Sequence, residues 1–288
     1  MIQSMTGYAA KTRDIGNGSL SLELKSVNSR FLDVHFRVCE ELRMAEPALR
    51  EAIAGRARRG KVECRVYFMA NARGAQQLSL NMELLTQLAT LERQVRAGLP
   101  DARGLAVGEV LRWPGIFGEE AVDQEKMLAE TLAVAREALD DFVASRGREG
   151  EKLKDIILER ALRMRELVAQ VAPHIPAAQA AFQEKLKQRL VDAIGSADDE
   201  RVRQEVIVFA ARIDVAEELA RLTTHLDEVE RVLRQGGSVG KRLDFLMQEL
   251  NREANTLGSK SVVSEVSQTA MELKLLIEQM REQVQNLE

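Results

Sequence analysis

GKRLDFLMQELNREANTLGSKS, residues 240–261, reads as an amphipathic helix: Leu243, Leu246, Met247, Leu250, Ala254 and Leu257 recur at steps of three and four and share one arc. Packing alone accounts for that stripe. Its polar flank carries Lys241, Arg242, Asp244, Glu249, Arg252 and Glu253, with Glu249 and Glu253 one turn apart, where like charges repel unless a cation lies between them. Upstream, residues 205–233 read as a second helix that buries Val208, Val215, Leu222, Leu226, Val229 and Leu233, with Asp214, Glu218, Arg221 and His225 along one edge. The glycine-rich break from Gln235 to Gly240 is short enough to fold the two helices back as an antiparallel hairpin. Counting outward equally from Gly237 sets His225 opposite Glu249 and Arg221 opposite Glu253.

The chain has 288 residues, 45% of them hydrophobic, which is enough to bury a substantial core. Its net charge of −4 means that any polyanion must be met by local basic clusters rather than by the field of the whole molecule. Cys39 and Cys64 are the only cysteines, and no Cys/His ligand spacing appears, which excludes a zinc ribbon and argues against a disulfide framework, and both read as small buried hydrophobes. The start, MIQSMTGYAAKTRD, lacks the pattern of a signal peptide, and no segment reaches the length of a membrane span. These features predict a cytoplasmic protein with no membrane contact.

The first seventy residues alternate with period two in three places, around Leu20–Leu24, Leu32–Val38 and Val62–Phe68, which predicts strands of a sheet with one wet face. Residues 42–58 carry helical spacing with a basic exit ended at Gly60. A helix begins at Asn81 as cap and runs to Gly98, after the loop NARGAQQ, and Trp113 in the turn RWPGIF reads as a packing anchor. Beyond Asp123 the pattern is helical, interrupted by Pro173 and Pro176 around His174 and by Gly195–Ser196. The fold class is α+β: a mostly antiparallel N-terminal sheet domain with helices over residues 1–150, a long helical connector over 151–203, and a C-terminal helical domain over 204–288 that holds the hairpin. Apolar stripes between Asp123 and Val191 that find no partner within the chain predict a homo-oligomer.

Three segments together resemble the YicC/YloC family of bacterial proteins: MIQSMTGYA at residues 1–9; ELKSVNSRFLDVHFR and RRGKVECRV at 23–37 and 58–66; and HLDEVERVL followed by GKRLDFLMQELNREANTLGSKS at 225–233 and 240–261. The resemblance implies an endoribonuclease that uses a divalent metal ion and assembles as a homohexamer around its RNA. By motif it carries over Glu218, His225, Glu249, Arg252 and Glu253 in the C-terminal region, and Asn28, Arg30 and Arg59-Gly60-Lys61 in the head.

Carboxylate oxygens with one imidazole suit a hard cation, Mn2+ or Mg2+, so Glu218, His225, Glu249 and Glu253 are the candidate ligands. The competing reading is a lattice of ion pairs, with Arg221 and Arg252 neutralising these carboxylates. A third arrangement needs no metal: His225 as general base on the ribose 2′-hydroxyl, with Arg252 or Arg242 stabilising the phosphorane and Glu249 or a partner subunit supplying the second acid-base group. The candidate catalytic residues are therefore His225, Glu249 and Arg252. His35, on the polar face of its strand, is a weaker acid-base candidate. For RNA the candidates are Asn28, Arg30, Arg59, Lys61, Lys241 and Arg242, with the low aromatic content, 4%, favouring backbone contact over base stacking. The alternative function is a non-catalytic RNA-binding or scaffolding homo-oligomer.

Overall fold

The structure is a computed structural model that describes residues 2–16, 18–70, 80–117, 124–194 and 200–288. The loop read at 71–77 and the break read at Gly195–Ser196 lie outside these residues. In the head, β1 (Gly7–Asp14) and β2 (Gly18–Val27) form a hairpin whose turn places Gly16 at φ +91°, with the Gly16 N–H donating to Asp14 Oδ1 at 2.8 Å. β2 pairs antiparallel with β4 (Gly60–Ala70), and β4 pairs parallel with β3 (Leu32–Val38), giving the order β1-β2-β4-β3. Parallel pairing requires a crossover, supplied by a 3-10 turn (Glu40–Ala45) and α1 (Glu46–Ala54). The helix expected over 42–58 is thus a shorter helix behind a tighter turn. β1 was not anticipated, because GYAAKTRD buries only Ala9 and shows no apolar alternation.

Leu20, Leu22, Leu24, Val62, Cys64 and Val66 form the dry face of the sheet, covered by α1 and the first half of α4 (Gln124–Val171). At ~1.5 Å per residue, the 48-residue α4 extends roughly 70 Å. It serves both cores. Val134, Ala138 and Phe142 pack on the sheet, while Ile157, Ala161, Met164 and Val168 pack in the helical body. The expected division at residue 150 falls inside this unbroken helix, and the apolar stripe of α4 that had suggested an unpaired arm is buried within the chain.

After the 3-10 turn Ala172–His174, α5 (Ile175–Ile194) and α6 (Glu200–Ile213) lie against each other with Phe182 and Phe209 stacked at 5.2 Å. The body is completed by α7 (Ala216–Gln235), α8 (Gly240–Lys260) and α9 (Ser264–Val284). The single helix read over 205–233 is broken at Asp214–Val215, where Asp214 Oδ1 accepts the Ala216 N–H at 3.0 Å and opens a new helix. Val208 consequently sits on α6 with 47% of its surface exposed instead of in the core. Between the first core and α4, α2 (Met82–Gly98) starts with Asn81 Oδ1 accepting from Leu84 N as read from sequence, and α3 (Val107–Val110) follows. Trp113, just beyond α3, is 44% exposed and anchors no core.

Candidate active site

The hairpin of α7 and α8 turns through Gly236 and Gly237, both at positive φ, and its helices meet along Leu222, Leu226 and Val229 on one side and Leu243, Leu246 and Leu250 on the other. Glu253 occupies a position of that apolar ridge, three residues after Leu250 and four before Leu257, which is why it is only 3% exposed. Glu218 stands in the same relation to Val215 and Leu222 and is 5% exposed. Two carboxylates thus take core positions, and burial of a charge is costly without a partner.

Their partners form rungs across the hairpin. Lys260 Nζ reaches Glu218 Oε1 at 2.8 Å and also donates to the Asp214 carbonyl at 3.0 Å. Arg221 Nη1 lies 3.5 Å from Glu253 Oε1, a long contact, because its Nη2 is held by Glu217 at 2.5 Å. The next rung is different. One ligand atom from each of His225, Glu249 and Glu253 lies within 4.8 Å of the others, and among the described residues neither His225 nor Glu249 has a hydrogen bond or ion pair. At the turn end of the hairpin, Arg242 pairs with Glu228, which also accepts from Arg231.

The structure therefore brings together three of the four candidate metal ligands, His225, Glu249 and Glu253, and places the fourth, Glu218, with Lys260. Arg252 is exposed on α8, three residues from Glu249 and without an ion pair among the described residues, and faces the groove between α8 and α9. Of the candidate RNA residues, Asn28, Arg30, Arg59 and Lys241 line one cleft of about 310 Å³ where the head meets the body. Lys61 is exposed at the start of β4 outside that cleft, and Arg242 is occupied by Glu228. His35 pairs with Asp33 at 2.8 Å on the exposed face of β3, in the head and on a different element from the hairpin. Sequence reasoning missed Lys260 as the neutraliser of Glu218; the spacing Glu253 to Lys260, two turns on one face, carried that signal.

An imidazole and two carboxylates of this geometry, one of them buried and incompletely neutralised, fit a small hard divalent cation by donor type and by the charge they leave uncompensated. Fold and site define an α+β protein with a His–Glu–Glu cluster held in a C-terminal helical hairpin. The family model described as the N-terminal region of endoribonuclease YicC-like proteins matches residues 2–155, and that for their C-terminal part matches residues 171–288, so the chain belongs to the YicC-like endoribonuclease family. It is 42% identical over 288 residues, across the whole of both chains, to a protein of Haemophilus influenzae named probable endoribonuclease YicC. A Clostridioides difficile protein of the same name is 28% identical over 295 residues, again across both full chains.

Proposed function

We propose that this chain is an endoribonuclease that cuts RNA phosphodiester bonds with a divalent metal ion, Mn2+ or Mg2+, held by His225, Glu249 and Glu253. The proposal rests on the convergence of these three ligand atoms within 4.8 Å, where, among the described residues, the His225 and Glu249 side chains have no ion pair and Glu253 has only a 3.5 Å contact to Arg221. When bound, the ion would lower the pKa of a coordinated water and offset charge on the scissile phosphate. Glu253, buried against Leu250 and Leu257, fixes one oxygen rigidly, while the partly exposed Glu249 and His225 present theirs toward solvent. Arg252, with no carboxylate partner among the described residues, would meet negative charge developing on the phosphate.

The homohexamer implied by resemblance stays part of the proposal, supported by exposed apolar side chains such as Ile207 and Val208 on α6. A cytoplasmic location is supported by Cys39 and Cys64 both being unpaired thiols. That Arg221 pairs with Glu253, and Lys260 with Glu218, favours one other reading, in which the carboxylates serve only to tie the hairpin together in a non-catalytic scaffold. Calorimetric titration of Mn2+ into chelator-treated, dialysed protein separates the two. The proposal expects saturable binding that His225→Ala weakens at least tenfold; identical weak heats from both proteins would leave the scaffold reading.

A further inference from the structure

We infer that the groove between α8 and α9 is the track along which a single RNA strand lies by its phosphates. The inference rests on the reading of this chain as an RNA-cleaving protein, but it can be tested without cleavage. Two depressions follow each other along the same pair of helices. The first, about 310 Å³, is walled by Arg30, Arg59 and Asn28 of the head, Lys241 and Asp244 of α8, and Gln285 just past α9. The second, about 450 Å³, is walled by Gln248, Asn251, Arg252 and Asn255 of α8 and Arg281 of α9. Asp244 is the only carboxylate among the residues lining either one.

The charge pattern on the two flanks of α8 is opposite in kind. Toward α7 the cations are spent: Lys260 on Glu218, Arg221 on Glu217 and Glu253, Arg242 on Glu228. Toward α9, Arg30, Arg59, Lys241 and Arg252 make no ion pair among the described residues, and Arg281 has only a 3.8 Å contact to Glu278 while its Nε lacks any partner. Cations left unpaired in a chain of net charge −4 are a local excess that an external anion would neutralise. Lys241 also sits in the first turn of a 21-residue helix with no acidic residue there and no side-chain cap, where the backbone N–H groups disfavour a cation and attract an anion.

Spacing and chemistry select the anion. Lys241 and Arg252 are separated by about 16 Å of helix at ~1.5 Å per residue, so a single phosphate cannot satisfy both ends. Asparagine and glutamine amides stand between the cations, suited to sugar hydroxyls and base edges, and no aromatic ring lines either depression, so the strand is held by its backbone rather than by stacking. Arg252 and Glu249, three residues apart, are neighbours on the helix surface, so a strand in the groove reaches the His225 cluster across the width of α8.

The test is fluorescence anisotropy with a short 5′-fluorescein single-stranded RNA, full-length protein and excess EDTA, read over a range of salt concentrations. In the triple variant Arg30→Gln, Lys241→Gln, Arg252→Gln the affinity should fall at least tenfold, and the log–log salt slope should shrink by about 2, since each phosphate contact on a single strand contributes about 0.7. All three side chains are outside the core, and matching circular dichroism melts confirm the fold. Arg30→Lys with Arg252→Lys keeps the charge and should keep the slope. Unchanged affinity and slope in a folded triple variant would overturn the track, as would displacement of the probe by oligoglutamate but not by unlabelled RNA. Wild-type protein that binds with this slope but never cuts RNA leaves the track standing and removes the nuclease reading; cutting that persists with binding unaltered in the triple variant does the reverse.

Discussion

Arg146, midway along α4 and fully buried, forms an ion pair with the side chain of Glu288, while its Nε donates to the Ser4 carbonyl at 2.6 Å. Glu288 in turn accepts the Arg58 N–H at 2.6 Å, and its own N–H donates to the Gln3 carbonyl at 2.9 Å. One guanidinium thereby ties residues from both ends of the sequence to the helix that joins the two cores, at the entrance to the hairpin. Glu288→Ala would leave that guanidinium buried without a counter-charge and should cost about 3–5 kcal/mol. Urea denaturation should show it as a lower midpoint, and Arg146→Met added to Glu288→Ala should recover part of the loss.

Two glycines allow the same clasp to close. A Cβ on Gly150 would stand 2.4 Å from the Ile2 carbonyl oxygen, and one on Gly240 would stand 2.5 Å from that of Leu287, both backbone atoms that cannot step aside as a flexible side chain would. Gly150→Ala and Gly240→Ala should each destabilise by about 1–3 kcal/mol despite alanine's better helix propensity. Thermal melts that rise for either variant would show that the ends are not held as described.

Burial pushes the Cys64 thiol up to about 12, and Cys39 is also raised, mainly by burial. Native protein near pH 8 should therefore alkylate slowly with iodoacetamide at Cys64 and quickly only after unfolding. The sign for stability follows from proton binding. Above the ordinary thiol value, 9.0, the unfolded chain releases this proton while the folded one keeps it, so stability present below that pH declines as pH rises toward about 12. Cys64→Ala should flatten part of that decline in urea midpoints measured on the alkaline side.

The register of the hairpin was legible in the sequence because two apolar stripes and a glycine turn leave little freedom: Arg221 does meet Glu253, and His225 does approach Glu249. The α+β class followed from strands whose large apolar residues alternate, as in β2 and β4. β1 escaped because its inward positions are Gly7, Ala9, Lys11 and Arg13, the last two paired with carboxylates of α4, and a period of two is invisible when only Ala9 is buried. The break at Asp214 escaped because the apolar period continues across it, whereas the local signal is a side-chain turn in which Asp214 Oδ1 accepts the N–H two residues on. The pairing of Glu218 with Lys260 was not legible for a long-range reason. The position of Glu218 in the ridge was readable, but its claim on Lys260 depends on where the far end of α8 lands.

Glu249 and Glu253 are proposed to hold a metal ion for RNA cleavage, and the cleavage rate of a structured RNA by Glu249→Gln protein, in parallel with the Glu249→Gln, Glu253→Gln pair, tests this most directly. Both changes keep side-chain shape and remove charge. The rate should fall at least about a hundredfold with RNA binding retained, and similarly for wild-type protein in excess chelator. Cleavage at the wild-type rate by the double variant in excess chelator would contradict it.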